Sequence, residues 1–359
     1  MKMVYAVSKD TYRKNDHIGV RKKVEGMRKC FEENGIFSTL CEYEWAGGYP
    51  MIESFEDTDI LYFRRIDFSL KLLKKLAELK RKNKKLRIIM EIPTYPFEGE
   101  KSQKTSLKVS INKWVGENFG RFFIDQIVMV GQKEKRKKMY GIPVIHIQNG
   151  VDYENIVPHA EFYQSESDEI HMIAVSGCYF WHGYDRLIKG LANYYEMGNS
   201  SRKLYLHMVG SGECLPEYKK LAEENGLLDQ YVFFKGFLQG KELDEVYNQC
   251  NIAIDCLGCH RKGLYYVSSL KVREYAAKGL PIVTSTDADL YVNNLKKYFL
   301  VLPPDETDIQ VEEIIRFYDS LIANKNRNSL SNEIRQEFQK YCEWKYTLKE
   351  LLQFIAAEK

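Results

Sequence analysis

Ser268-Ser269-Leu270-Lys271-Val272-Arg273-Glu274-Tyr275-Ala276-Ala277-Lys278-Gly279-Leu280-Pro281-Ile282-Val283 is the stretch whose reading decides the architecture. It reads as an amphipathic helix with a serine at the capping position, stopped by Gly279 and Pro281. A strand, Pro281–Ser285, follows at once. Backbone N–H groups point outward from such a helix start, and Lys271 adds a full positive charge, so the pair suits an anion. Glu274 lies one turn further on. A carboxylate beside a bound anion is unfavourable unless it takes hydrogen bonds from ligand hydroxyls. The alternative is a capped helix with no ligand at all.

The same alternation of strand and helix extends outward from this stretch. His171–Val175, Lys203–Val209, Tyr231–Lys235 and Ile252–Asp255 read as strands that precede it. Tyr184–Tyr195, Glu217–Asn225 and Glu242–Cys250 read as the intervening helices, the second capped by Gly226. Pro281–Ser285 is expected to close this core. Nearer the N-terminus, Met3–Val7, Ile60–Phe63, Leu86–Met90, Ile124–Val130 and Pro143–Ile147 read as further strands. Val20, Val24, Met27 and Phe31 stripe one helix. Leu72, Leu73, Leu76 and Leu79 stripe another, whose other face holds Lys71, Lys74, Lys75 and Lys82. Leu107, Ile111, Trp114, Val115 and Phe122 mark a third amphipathic stretch, and the basic run after Val130 predicts a helix. Such a pattern predicts parallel sheets covered by helices, as two doubly wound, Rossmann-like domains in series. The rhythm breaks at Asn149-Gly150 and over the polar stretch 158–169. The expected domains are therefore 1–150 and 151–343, with the helix of 344–359 packing back on the first.

Size and composition agree. The 359 residues exceed the roughly 250–300 at which one core stops growing. Hydrophobic residues at 44% and charged residues at 29% exclude a disordered or fibrous chain. No apolar run reaches the roughly 18–20 residues of a membrane span. The opening MKMVYAVSKDTYRKND lacks an apolar h-region, so a cytoplasmic location with mostly reduced cysteines is expected. The net charge of +3 hides an asymmetry, because residues 1–150 hold 30 Lys and Arg against 19 Asp and Glu. A basic first half suggests contact with an anionic membrane leaflet, with Lys108, Lys113 and Trp114 joining the lysines above.

Several motifs carry weaker signals. Val209-Gly210-Ser211-Gly212 opens like a dinucleotide fingerprint but lacks its third glycine, since position 215 is Leu. Asp57-Thr58-Asp59 and Asp287-Ala288-Asp289 have the spacing of metal-holding carboxylates, yet a solvated turn or a loop explains each as well. Cys256-Leu257-Gly258-Cys259-His260 resembles half a zinc site, but a second C-x2-C is absent, and small apolar packing is the expected role.

Four segments in order make a resemblance specific. They are His17-Ile18-Gly19-Val20, the run Val144-Ile145-His146-Ile147-Gln148-Asn149-Gly150-Val151-Asp152, Val175-Ser176-Gly177 with Trp181-His182-Gly183-Tyr184-Asp185-Arg186-Leu187-Ile188, and Glu274 to Val283. The chain resembles a GT-B glycosyltransferase of the large retaining family 4, also called group 1. That resemblance implies two Rossmann-like domains facing across a cleft, with the acceptor on the first and a nucleotide-sugar on the second. It also implies roles for individual residues. Gly19 would let the donor diphosphate approach the backbone, and Ser269, Leu270 and Lys271 would offer it N–H groups. Glu274 matches the second glutamate of the family's E-x7-E pair, expected on the ribose. Gly236 and Phe237 occupy the base-contacting turn.

The chain also departs from the family pattern. Tyr266 stands where the first glutamate belongs, and no acidic residue lies between Asp255 and Glu274. His182 replaces the lysine that usually touches donor phosphate, and Cys178 the arginine before it. His182, Arg261 and Lys271 are the expected sources of the missing positive charge. Glu91, Thr94 and Tyr95, after the fourth strand, are expected on the acceptor side. The resemblance thus implies retaining transfer of a hexose from a UDP- or GDP-sugar to a saccharide or lipid-linked oligosaccharide, in cell-surface polysaccharide synthesis. No metal, no cofactor and no nucleic-acid partner are expected, and Glu274, Lys271 and His182 are favoured for donor activation. The competing expectations are a noncatalytic glycosyltransferase-like subunit, a nucleotide-sugar epimerase and a phosphorylase.

Overall fold

The computed structural model describes residues 1–13, 18–46, 49–50, 57–64, 70–93, 107–131, 133, 135–158, 168–198, 202–292 and 294–357. His17, Thr94, Tyr95 and most of the polar stretch 158–169 lie outside the described residues. The chain divides into two compact units, Met1–Gly150 with Trp344–Lys359, and Val151–Glu343. Among the described residues no helix is long and apolar enough to cross a membrane.

In the first unit, β1 (Lys2–Ser8), α1 (Lys9–Arg13), α2 (Ile18–Glu33) and β2 (Phe37–Tyr43) open the chain. A short hairpin of β3 (Trp45–Ala46) and β4 (Tyr49–Pro50) follows, then β5 (Ile60–Arg64), α3 (Leu70–Lys82), β6 (Arg87–Ile92) and α4 (Leu107–Phe119). Next come β7 (Gln126–Val130), β8 (Lys138–Met139) and β9 (Ile142–Ile147). The sheet order is β2-β1-β5-β6-β7-β9-β8, parallel except for β8. Successive strand residues point to opposite faces, and the two cores follow that period. Val4, Ala6, Leu61 and Phe63 pack with Leu72, Leu76 and Leu79 of α3 on one side. Met3, Tyr5, Ile60 and Tyr62 pack with Val24 and Met27 of α2 on the other, with Trp344 and Leu351. Trp344 lies so close to Gly26 that a Cβ there would meet its Nε1 at 2.1 Å.

The second unit repeats the scheme with β10 (Glu169–Val175), α5 (Tyr184–Glu196), β11 (Lys203–Val209), α6 (Leu215–Glu224), β12 (Val232–Gly236), α7 (Lys241–Gln249) and β13 (Ile252–Ile254). Then come β14 (Tyr266–Val267), α8 (Leu270–Lys278), β15 (Ile282–Thr284), β16 (Asp287–Ala288), β17 (Phe299–Val301), α9 (Val311–Ile322) and α10 (Arg327–Cys342). α11 (Trp344–Thr347) and α12 (Lys349–Ala357) belong to the first unit. The order β12-β11-β10-β13-β15-β17 is parallel throughout.

Two expectations need correction, and two features were not read from the sequence. The basic run after Val130 lacks an apolar stripe to bury, and instead of a helix it ends in β8, which folds back on β9 through Tyr140 at φ 52° and Gly141 at φ 75°. β2 carries no continuous apolar run because it is an edge strand, so only part of it is buried. The C-terminal core does not close at β15, since β17 pairs beyond it and α9 and α10 pack on it. The amphipathic stretch at α4 leaves apolar side chains uncovered: Ile111, Trp114 and Phe119 of α4 and Phe122 just beyond it are 54%, 60%, 45% and 60% exposed.

Candidate functional site

In an open parallel sheet, ligands bind outside the carboxyl ends of the strands where the winding reverses. In the second unit the chain winds outward from β10 to β11 and β12, then returns to place β13 on the other side of β10. The reversal point therefore lies between β10 and β13. Their backbones part there, and Tyr275 fills the fork. Its hydroxyl accepts the Val175 N–H at 3.0 Å and donates to the Ile254 carbonyl at 3.2 Å. Tyr275 belongs to α8, so this plug seats the start of α8 at the carboxyl edge.

Ser269 caps α8, its Oγ accepting the Val272 N–H while donating to Asp255 at 3.0 Å. Asp255 directly follows β13, is 1% exposed, and also accepts from Thr284 Oγ1 at 3.3 Å. Lys271 turns its ammonium inward, 3.3 Å from Asp255 Oδ1, 3.4 Å from the Tyr184 hydroxyl and 3.6 Å from Cys256 Sγ. Burial opposes the charged form of Lys271, but Cys256, Tyr184 and Asp255 outweigh it and the ammonium is held well above its usual range. The Cys256 thiol is itself pushed up by its hydrogen bond with Cys259 and by burial, so at neutral pH the anion that counts is Asp255. Glu274 stands one turn along α8 and is partly exposed.

The glycines at this edge serve close packing. A Cβ on Gly210, at φ 134°, would meet the Ser176 carbonyl oxygen at 1.8 Å, and one on Gly212, at φ 154°, the Gly177 oxygen at 1.8 Å. The two loops thus lie backbone against backbone, which explains the GxG spacing without a phosphate. Gly236 ends β12 at φ 69° and accepts the Gly210 N–H at 2.7 Å, with Phe237 45% exposed beside it.

Other expected residues are already committed. His182 is 8% exposed and its Nδ1 accepts the Tyr179 N–H at 3.0 Å, so Nε2 carries the proton. Burial pulls its pKa below the ordinary value, so it is neutral at physiological pH and brings no fixed charge. Arg261 does not reach open space with a free charge. It grips Asp185 through two bonds of 2.9 and 2.8 Å, bonds Glu306, and donates to the Phe180 carbonyl at 2.8 Å. The Arg261 hydrogen bonds hold the Glu306 carboxyl down to about 2. Tyr266 sits in β14, paired with Asp287 in β16. In the second DxD, Asp289 is buried and taken by Arg273 and by Ser268 at 3.1 Å. Among the described residues, no three His, Cys, Asp or Glu side chains converge where a metal ion would fit. Cys256 and Cys259 are free thiols, Cys259 buried at the first turn of a 3-10 helix, Cys259–Lys262.

In the first unit Gly19 is the second residue of α2 rather than part of a loop. Glu91 is fully buried and does not face an acceptor surface. It accepts Lys23 at 2.7 Å and the Tyr62 hydroxyl at 2.7 Å, with Arg64 3.5 Å away. Burial raises the Glu91 carboxyl, but Lys23 and then Arg64 outweigh it, and the result lies below the ordinary range.

Residues missed from sequence are Asp255, Tyr184 and Tyr275. An acidic residue directly after the apolar Ile252-Ala253-Ile254 is the signal that could have found the first.

With this geometry in hand, the likeness to known proteins has a place to attach. Residues 170–320 match the family described as "Glycosyl transferases group 1". No curated protein sequence matches the chain. A glycosyltransferase from Rickettsia africae ESF-5 superposes at TM-score 0.65 with 15% identity, over 100% of this chain and 99% of that one. Anabaena Alr3699/HepE, solved with UDP and glucose, superposes at 0.60 with 11% identity, over 99% of each chain. WaaG, a glycosyltransferase involved in lipopolysaccharide biosynthesis, superposes at 0.61 with 12% identity, over 99% of each. The chain has the GT-B fold, and its second unit carries the group 1 glycosyl transferase match.

Proposed function

We propose that this chain is a retaining hexosyltransferase that moves a sugar from a nucleoside-diphosphate donor to a saccharide or lipid-linked saccharide in cell-surface polysaccharide synthesis. The observation that carries this reading is the convergence of Ser269, Lys271 and Asp255 at the reversal point of the second sheet. The family match over that same unit supports it. The N–H groups of Leu270 and Lys271 at the start of α8, with the Lys271 ammonium, stabilise charge growing on the departing diphosphate. Asp255 holds the ammonium charged and in place. Glu274 takes ribose hydroxyls, and Gly236 and Phe237 border the base. These N–H groups and the ammonium, rather than a divalent metal, meet the leaving-group charge, and Asp289 Oδ2 is held by Arg273. UDP is the favoured nucleotide, by analogy with the Anabaena complex.

The test is direct. Glu274→Gln loses charged hydrogen bonds worth about 1.5–3 kcal/mol, so donor affinity falls about 10- to 100-fold while the melting temperature holds. Titration calorimetry with UDP, GDP and their sugars measures it. Wild-type affinity and turnover in a folded Glu274→Gln protein would remove Glu274 from the site. Nucleotide binding with no transfer and no donor hydrolysis would favour the noncatalytic subunit, a reading supported by Tyr266 at the first glutamate position and by the spent charge of Arg261. Epimerised donor appearing without acceptor would favour the epimerase.

We further propose that the first unit touches an anionic leaflet through the exposed aromatic face of α4 and the turn after it. Trp114 and Phe119 lie 6.3 Å apart, Phe119 and Phe122 6.3 Å, and the Arg121 guanidinium sits 5.1 Å over Phe122. The exposed Lys71 and Lys74 of the neighbouring α3 add charge. Aromatic rings with basic neighbours suit the headgroup boundary, and each basic residue there contributes about 1 kcal/mol. Flotation with anionic liposomes should be strong at low salt and fall at high salt. Trp114→Ser with Phe122→Ser should abolish it without unfolding the chain. Equal flotation on neutral vesicles would refute the electrostatic part.

A further inference from the structure

The first unit has its own reversal point. The chain winds from β1 out to β2, then crosses back to lay β5 on the other side of β1. The carboxyl ends of β1 and β5 therefore flank the place where a ligand is expected on this sheet. Arg64 is the last residue of β5, and its register partner on β6 is Glu91. Lys23, from the first turns of α2, reaches the same carboxylate.

Among the described residues the charges there do not balance. Glu91 Oε1 takes the Lys23 ammonium at 2.7 Å and Oε2 takes the Tyr62 hydroxyl at 2.7 Å. Lys23 and Glu91 are 3% and 0% exposed, a pair that already neutralises itself. Arg64 brings a second positive charge, with its side chain only 19% exposed. Its Nε is buried 3.5 Å from Glu91 Oε1, beyond hydrogen-bond geometry, and has no hydrogen-bond partner. Arg21, also near the start of α2, keeps a second buried Nε without a partner. Among the described residues Glu91 is the one carboxylate within ion-pair distance of both cations, and a largely buried guanidinium that shares its anion is costly to hold unless something else supplies negative charge.

We propose that Arg64 is the charged contact for an anionic group, a phosphate or a carboxylate, carried by the acceptor and bound at the carboxyl ends of β1 and β5. Glu91 is then a positioning residue. Its buried carboxylate, fixed by Lys23 and Tyr62, holds the Arg64 Nε 3.5 Å away at the carboxyl end of β5, and a guanidinium suits a bidentate oxyanion. This inference rests on the glycosyl-transfer reading, because it gives the second substrate its own anion-reading place, apart from Lys271.

The test uses the full chain, with UDP saturating so that the donor place is filled. Inorganic phosphate and, separately, glucuronate are titrated against matched chloride while the melting temperature is followed. In the wild type one of the two raises it, which tells phosphate from carboxylate. Arg64→Gln weakens that response at least tenfold, Arg64→Lys retains part of it, and both keep UDP affinity within about twofold. Without anion, Arg64→Gln melts no lower than the wild type, because the charge removed is surplus.

Three results would overturn the proposal. One is a wild type indifferent to both anions, and another is an Arg64→Gln response equal to the wild type. The third is a matched loss of UDP affinity, which would give Arg64 to the donor diphosphate instead. If Arg64→Gln fails to fold, a normal anion response in a folded Arg64→Lys protein at wild-type strength would equally count against a bidentate contact. UDP failing to bind the wild type is a separate outcome. It sinks the glycosyl-transfer reading, while the anion titration still decides on Arg64.

Discussion

Lys271→Met is expected to lower turnover by about 100- to 1,000-fold and to cost about 3 kcal/mol of stability, and the two losses have different causes. Lys271 is placed to stabilise charge on the departing diphosphate, so its loss is felt in the transition state more than in donor binding. It is also the cation 3.3 Å from Asp255, which is 1% exposed and would remain as an unpaired buried charge. Bonds from Ser269 and Thr284 soften that cost but do not cancel it. The double variant Lys271→Met with Asp255→Asn separates the two causes. Removing the stranded carboxylate charge should recover more than half of the lost stability in urea unfolding. Turnover should stay low, because no ammonium returns. A double variant that regains both stability and turnover would make Lys271 a structural counter-ion and nothing more.

The start of α8 was legible because its signals are local. A serine cap, an apolar stripe and the Gly-x-Pro stop act within one turn of each other, and the helix appears at Leu270–Lys278 as read. The inner strands of both sheets, unlike β2, β8 and β17 at their edges, were legible for the same reason, since residues buried on both faces form continuous apolar runs such as Ile127-Val128-Met129. Asp255 was not legible, because its importance arises only when the winding brings β13 beside β10 and α8 across the fork. The crowding of Gly210 against Ser176 is likewise a contact between loops far apart in sequence. Periodicity marked the apolar face of α4 but not its surroundings. Spacing reports that a helix has an apolar face, not what covers it, and Trp114 and Phe122 stay exposed. His182 and Arg261 show the limit of residue type as a signal. Each could have offered charge to a phosphate, but a backbone N–H and the Asp185 and Glu306 carboxylates hold them.

Arg273→Met should cost about 3–5 kcal/mol, the penalty for breaking a buried ion pair from one side. Arg273 is fully buried and Asp289 is 3% exposed, and the arginine also donates to the Ser269 carbonyl at 2.9 Å. This pair ties the first turn of α8 to the segment after β16, with Ser268 bonded to the same carboxylate at 3.1 Å. Loss of the pair should therefore loosen Ser269 and Lys271 and weaken donor binding as well as stability. Arg273→Met with Asp289→Leu replaces both charges by apolar groups and should recover most of the stability, leaving a coupling energy that a double-mutant cycle measures. The same arrangement bears on metals. A carboxylate held by a buried guanidinium cannot turn to a cation without stranding that guanidinium, so Mn²⁺ should not shift the melting temperature. EDTA should likewise leave turnover intact. Turnover lost to EDTA, restored by Mn²⁺ and absent in Asp289→Asn would show that Asp289 serves a metal, and that the bond to Arg273 gives way when the metal arrives.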